Sequence, residues 1–411
     1  MEFDTKLLHG KSVKPYADGA TLPPVSQVSA FQFESAEKHA AVFSHKAMGY
    51  AYTRVGNPTV SAFEQRINEL EGGGGAAACS SGMAAVALAL LNMLSSGDEI
   101  VACSGLYGGT IGLFDDFKNF GITTRFVKEL TPENIEPLIN EKTRAVYGEV
   151  IGNPGLGVMD IQAVAETAHA HGLPLVVDNT TATPFLVQPI SLGADIVVHS
   201  SSKYINGGGN SISGVIVDST HFRWDEKRYP ALAPFKRYGP MAYLVRIRTD
   251  LGENLGCCLA PANAYMNIVG METLGLRMER ICSNAQKLAE ALQELPGISR
   301  VCYPGLKDHP CKSLTEKQFH GKGGGILTFR AGSKEKVFRI LDALKCVVIA
   351  SNIGDLRTLA IHPSSTIFIH NTKEQKEAAG VFEDTVRVSV GIENPEDLIE
   401  DFTQAVKQAD Q

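Results

Sequence analysis

The sequence holds no Cys-x-x-Cys pair among its eight cysteines (79, 103, 257, 258, 282, 302, 311 and 346) and no Cys/His spacing suited to zinc. A structural zinc site and a disulfide-stapled scaffold are both disfavoured, and reduced thiols are expected. No apolar run approaches the ~20 residues that a membrane span needs; the run from Met83 to Leu91 is among the longest. No N-terminal stretch has the pattern of a signal peptide. A long basic run is also missing, and the formal net charge is −7. That balance weighs against nucleic acid or an anionic membrane as partner. There is no internal repeat and no low-complexity segment. The expectation left by these absences is a soluble, cytoplasmic protein.

What is present is ordinary globular composition, 44% hydrophobic and 20% charged over 411 residues. That length exceeds what one hydrophobic core usually serves, so two or more domains are expected. Residues 1–55, with Pro15, Pro23 and Pro24 and little periodicity, read as an extended arm. Such an arm needs a surface to pack on, and a neighbouring subunit would supply one. Residues 56–255 alternate short apolar runs with helical stretches. Strands are predicted at 76–79, 99–102, 123–126, 145–149, 173–178, 195–199 and 214–217, and helices at 59–70, 82–94, 109–117 and 160–171. This alternation predicts an α/β domain with a mostly parallel, seven-stranded sheet covered by helices. Residues 256–411 open with one long helical stretch, 262–295. Strand candidates follow at 325–329, 347–350 and 385–390, with helices at 334–344 and 395–409. They read as a smaller α+β domain.

Lys203 ends the run Ala194-Asp195-Ile196-Val197-Val198-His199-Ser200-Ser201-Ser202-Lys203, an apolar strand leading into three hydroxyls and an amine. The strand upstream ends in Asp178. Ligands of open α/β sheets bind outside the carboxyl ends of the strands, so these groups converge. Pyridoxal phosphate needs such a set: a lysine for its aldehyde, an acid for its pyridine nitrogen and donors for its phosphate. Each element has a plainer reading alone. Asp178 would serve as a turn former, and Ser200 and Ser202 as part of a polar turn. Ser80-Ser81-Gly82-Met83 before an apolar helix is a helix cap or an anion site. Tyr107 would lie flat on a ring or fill a core. Tyr52 and Arg54 suit a phosphate, or an ordinary surface. Arg387, inside the apolar run Val386 to Val390, must be paired if buried, either with a substrate carboxylate or with a structural acid. Gly72 to Gly75 and Gly10-Lys11-Ser12 lack the full phosphate-loop pattern and are rejected as nucleotide sites.

Read together, the segments resemble the Cys/Met-metabolism family of pyridoxal-phosphate enzymes, of transferase fold type I. The matching text includes Tyr52-Thr53-Arg54-Val55-Gly56-Asn57-Pro58-Thr59, Cys79 to Ala85, Leu106-Tyr107-Gly108-Gly109-Thr110, Glu149 to Pro154, Val177 to Pro184, Gly193 to Tyr204, Gly270 to Met278, Gly354 to Thr366 and Val386 to Glu393. The resemblance implies that Lys203 carries the cofactor and shuttles protons, and that Asp178 faces the pyridine nitrogen. Tyr107 would stack on the ring and assist catalysis, and Asn153 would bond the ring oxygen. Ser81, Gly82, Met83, Ser200 and Ser202 would cradle the phosphate. Tyr52 and Arg54 would reach the phosphate of a neighbouring subunit, which implies a homo-oligomer, a dimer of dimers. Arg387, with Ser351 and Asn352, would bind the α-carboxylate of an amino-acid substrate.

Within the family, Ser351-Asn352-Ile353-Gly354-Asp355-Leu356-Arg357-Thr358-Leu359 is similar to the O-acetylhomoserine sulfhydrylase branch. Ala350 stands where cystathionine enzymes carry Glu, and Gly109 where methionine γ-lyases carry Cys. Departures from the family pattern fall at Gly208, Ser213, Cys257-Cys258 and Ile367-Phe368. The expected reaction is γ-replacement on O-acetylhomoserine by a sulfur donor, giving homocysteine. Lyase or cystathionine synthase chemistry is the nearest rival, and a non-catalytic sensor a remote one. The donor stays open between sulfide, a thiol and a sulfur-carrier protein, as does acetyl against succinyl.

Overall fold

The structure, a computed structural model, describes residues 1–411 except 14, 15, 17, 18 and 45. Pro15 therefore lies outside the described residues. The first sheet comprises β1 (Gly75–Cys79), β2 (Glu99–Cys103), β3 (Thr123–Val127), β4 (Thr143–Glu149), β5 (Leu175–Asp178), β6 (Ile196–His199) and β7 (Gly214–Asp218). Their order is β1-β7-β6-β5-β4-β2-β3. All neighbouring pairs from β3 to β6 are parallel, while β7 runs antiparallel to both β6 and β1. Alternate side chains feed two cores. Val146, Leu175, Val177, Val197 and Val215 face one side, whereas Tyr147, Val176, Ile196, Val198 and Ile216 face the other. Helices cover both sides, which explains why these strands read as continuous apolar runs.

The second sheet is built from β8 (Arg300–Cys302), β9 (Ile326–Arg330), β10 (Val348–Ile349), β11 (Leu359–Ile361) and β12 (Thr385–Ser389), in the order β10-β11-β12-β9-β8. Its own core, around Leu288, Phe329, Ile340, Val388 and Phe402, is separate from the first two. Leu259, Ala264, Ile268, Met271, Leu274, Met278 and Ile281 instead share a core with the first sheet, so the helices after residue 256 straddle both units.

Several sequence expectations differ from the structure. The stretch 262–295 is two helices, Pro261–Met271 and Leu274–Gln293. The break is held by Arg277, whose guanidinium donates to Gly270 O (2.7 Å) and Thr273 Oγ1 (3.1 Å). The arm contains two helices, Phe3–His9 and Ala36–Phe43, and is not wholly irregular. At seven and eight residues they are too short to display an apolar period. The three-residue strands β8 and β11 escape for the same reason.

Candidate active site

The carboxyl ends of β4, β5 and β6 open into a cavity of about 220 Å³. Its lining includes Ser81, Gly82, Met83, Tyr107, Asn153, Asp178, Ser200, Ser202, Lys203, Ser351, Asn352 and Arg387. Every predicted site residue but two is thus brought to one place. Tyr52 and Arg54 are not: Arg54 donates to Glu253 O (2.6 Å), and its guanidinium lies 5.6 Å from the centre of the exposed Tyr52 ring.

Lys203 sits in a tight turn after β6. Its N–H donates to Ser200 O, and its carbonyl accepts from Gly207 N–H. Arg277 braces the turn by donating to Tyr204 O (2.6 Å) and Ile205 O (3.2 Å). The segment carrying Ser351 and Asn352 closes over it at Gly354, whose φ of 71° already favours glycine. A Cβ there would stand 2.4 Å from Tyr204 N and 2.8 Å from the Lys203 carbonyl carbon. The Lys203 Nζ donates to Asn352 Oδ1 at 2.5 Å. Burial, and then the charge of Arg387, lower the Lys203 pKa from its ordinary value.

Asp178, at the end of β5, accepts from Thr180 N–H (2.9 Å), and Thr180 Oγ1 in turn accepts from Ser200 N–H (2.8 Å). Thr180 therefore links the acid's strand end to the lysine turn. Burial pushes the Asp178 carboxyl up, while the Thr180 bonds and the neighbouring His199 favour its ionised form. His199 is itself buried, with Nε2 2.6 Å from Glu71 Oε1.

Ser81 caps the helix Gly82–Leu91, its Oγ accepting from Ala84 N–H (3.1 Å). The amide end of this helix points into the cavity beside Ser200. Gly82 lies so close that a Cβ on it would meet Ser200 Cβ at 2.5 Å. Ser80 N–H donates to Cys257 O, so the unusual Cys257 supports the loop through its backbone. Ser202 Oγ accepts from Ser213 N–H (2.8 Å) and donates to Ser213 O (3.0 Å). The Ser213 hydroxyl accepts from Ser201 Oγ and Asn267 Nδ2, both at 2.8 Å. At Ser213, one of the departures from the family pattern, the chain thus has a buried polar network beneath the lysine turn.

Arg387, on β12, is 3% exposed. It donates to Asn352 O (2.9 Å) and Asn153 Oδ1 (3.4 Å), and its Nε has no partner. No carboxylate pairs with it among the described residues. Burial pushes its pKa down to about 10. A buried guanidinium that lines a cavity and has no carboxylate partner is suited to an anion that arrives with a ligand. The fit to pyridoxal phosphate is equally direct: a helix amide end with a glycine-cleared cradle for the phosphate, an acid at the strand end and an amine of lowered pKa. Sequence reasoning missed Glu149 and Thr180 as site residues. Thr180, two residues past Asp178, carries the signal of an Asp-initiated turn.

Comparison with known proteins agrees with this geometry. The family model described as Cys/Met metabolism PLP-dependent enzyme matches residues 4–407. A sulfhydrylase of Gibberella moniliformis is 40% identical over 422 residues, covering 99% of this chain and 98% of that protein. The O-acetyl-L-homoserine sulfhydrylase of Leptospira meyeri is 39% identical over 426 residues, covering 98% and 96%. Among solved structures, one from Campylobacter jejuni, described as an O-acetylhomoserine (thiol)-lyase and bearing a pyridoxyl-lysine phosphate, superposes with a TM-score of 0.95. It is 34% identical and covers 99% of this chain and 100% of that one. The chain belongs to the Cys/Met-metabolism family of pyridoxal-phosphate-dependent enzymes.

Proposed function

We propose that the protein is an O-acetylhomoserine sulfhydrylase of methionine biosynthesis, exchanging the acetate of O-acetylhomoserine for sulfide. The Cγ–O bond breaks, acetate leaves with the electron pair, and hydrosulfide forms the Cγ–S bond of homocysteine. The observation that carries the reading is the buried Arg387, with no carboxylate partner among the described residues, beside Lys203 in one cavity. That pair suits an α-amino acid, and the named relatives supply the acyl-homoserine and the sulfur.

Pyridoxal phosphate, when bound, supplies an electron-withdrawing ring that makes the Cα and Cβ protons removable. The chain's residues do the rest. Arg387 fixes the α-carboxylate, and Asn352 frames it from the facing loop. Lys203 Nζ, its pKa lowered by burial, takes the Cα proton and returns it. Asp178 would hold the ring nitrogen's proton. Ser81, Gly82, Met83, Ser200 and Ser202 would hold the phosphate, Tyr107 would cover the ring and Asn153 would bond the ring oxygen. To donate to the phosphate, the Ser202 hydroxyl would give up its bond to Ser213 O. Tyr52 and Arg54, turned away from their own cavity, complete the phosphate site of a second copy in a homo-oligomer, a dimer of dimers in the cytoplasm. Among the described residues no helix is long and apolar enough to cross a membrane.

Initial rates with O-acetyl- and O-succinylhomoserine, each against sulfide, cysteine, methanethiol and a carrier-protein thiocarboxylate, test the reading. Preference for the acetyl ester with sulfide supports it. Preference for cysteine, or release of α-keto acid and ammonia from methionine alone, overturns it.

A further inference from the structure

Glu149 ends β4, in register with Asp178 on the adjacent parallel strand. It lines two cavities, the one holding Lys203 and a larger one of about 640 Å³ that runs toward the second sheet. Among the described residues its hydrogen-bond partners are two backbone amides. Oε1 accepts from Tyr107 N–H at 2.7 Å, and Oε2 accepts from Asn153 N–H at 3.2 Å. Among the described residues no lysine, arginine or histidine pairs with it. Burial, and then the charge of Asp178, push its pKa well above the usual carboxylate range. A carboxylate is thus kept in an enclosed and unfavourable place, next to a second one.

A glutamine of the same shape would avoid that cost, but it would present one oxygen and one N–H where two acceptors are needed. Only a carboxylate accepts from both amides. Both residues so tied line the cavity that holds Lys203. Tyr107 begins the helix Gly108–Phe117, with its ring lying across Gly109, and Asn153 touches Arg387. We propose that Glu149 is a positioning residue whose two oxygens fix the separation of Tyr107 and Asn153, and so the width of the slot that receives the pyridine ring. The proposal rests on the family's cofactor and is independent of which nucleophile or acyl ester the enzyme uses.

Full-length Glu149→Gln, stripped of cofactor and titrated with pyridoxal phosphate, tests it. The substitution keeps the shape and lifts the burial cost of the acid, which offsets the one backbone N–H it leaves unpaired, so the apo-protein should melt near the wild type. The dissociation constant for pyridoxal phosphate should nonetheless rise by roughly tenfold, about 1.4 kcal/mol. At saturation the circular dichroism of the cofactor band should shrink, because the ring sits in a wider slot. A dissociation constant and dichroism equal to wild type overturn the proposal, as does a lower melting point with unchanged dichroism. Amide hydrogen exchange in the wild-type protein gives a check that needs no variant. The Tyr107 and Asn153 amides should be protected well beyond neighbouring loop amides, and exchange at loop rates overturns the proposal.

Discussion

Replacing Arg387 by methionine should make the protein more stable and a far poorer enzyme. Burial lowers the guanidinium pKa to about 10, which corresponds to about 3 kcal/mol against the charged form in the absence of a ligand. The methionine removes that cost but strands two acceptors, Asn352 O and Asn153 Oδ1, at about 1 kcal/mol each. The balance is a gain of about 1 kcal/mol in unfolding free energy. Catalysis moves the other way. The bound α-carboxylate is the partner that relieves the charge, so losing the pair should lower kcat/KM for O-acetylhomoserine by roughly 100-fold. The assay compares initial rates with the melting of the apo-protein. It also compares inhibition by 3-aminopropyl acetate, the substrate without its carboxylate, which should bind both proteins equally. A kcat/KM within about threefold of wild type would falsify the carboxylate assignment. Equal weakening of substrate and decarboxylated analogue would do the same.

Lys203→Ala should cost roughly 10³-fold in turnover and abolish the lysine-bound cofactor absorbance, while secondary structure by circular dichroism stays intact, since Nζ makes one hydrogen bond, to Asn352. Gly82→Ala should lower stability by about 1–3 kcal/mol in denaturant titration, because the new methyl meets Ser200 Cβ at 2.5 Å and Cα at 2.8 Å, and backbone must move. The Lys203 amine, its folded pKa depressed, binds fewer protons in the folded than in the unfolded state. Its contribution to apo-protein stability should therefore increase as pH rises from the folded value to the unfolded one, and stay flat at its lowest below the folded value. Removing the Arg387 charge raises that folded value, so in Arg387→Met the pH profile for cofactor capture should move to higher pH. A profile that stays put refutes the electrostatic link.

The strands of the first sheet are legible because both of their faces are buried. Runs such as Leu175 to Asp178 and Ile196 to His199 then carry unbroken apolar text that stops at polar ends. Lys203 and Asp178 stand out because a charge at the end of such a run has little to do unless it meets a ligand. The second sheet is harder to read: β10 and β11 are two and three residues long, and the pairing of β10 with β11 and of β11 with β12 leaves no local mark. Glu149 is invisible as a site residue because its partners are backbone amides, which every residue possesses. Arg277 is hidden likewise, since its work is to collect carbonyls. The break at Glu272 and Thr273 lies between two helices of good helical text, so only the tertiary contacts of Arg277 reveal it. Tyr52 and Arg54 read in the sequence as candidates for a phosphate, but that they do not line the cavity of their own chain is a matter of three-dimensional path.

One strand, β7, runs against its neighbours. In a wholly parallel sheet every strand delivers its last residues to the ligand edge and enters from the far side. By reversing, β7 delivers its first residues there instead, between the edge points where β1 hands over to the Ser80–Met83 loop and β6 to Lys203. The Ser213 amide and carbonyl that lead into β7 are therefore free to pair with Ser202 rather than with a sheet partner. The reversal works as a spacer driven in from the ligand side: it sets how far apart the Ser80–Met83 loop and Lys203 are held, with no crossover helix to crowd the opening.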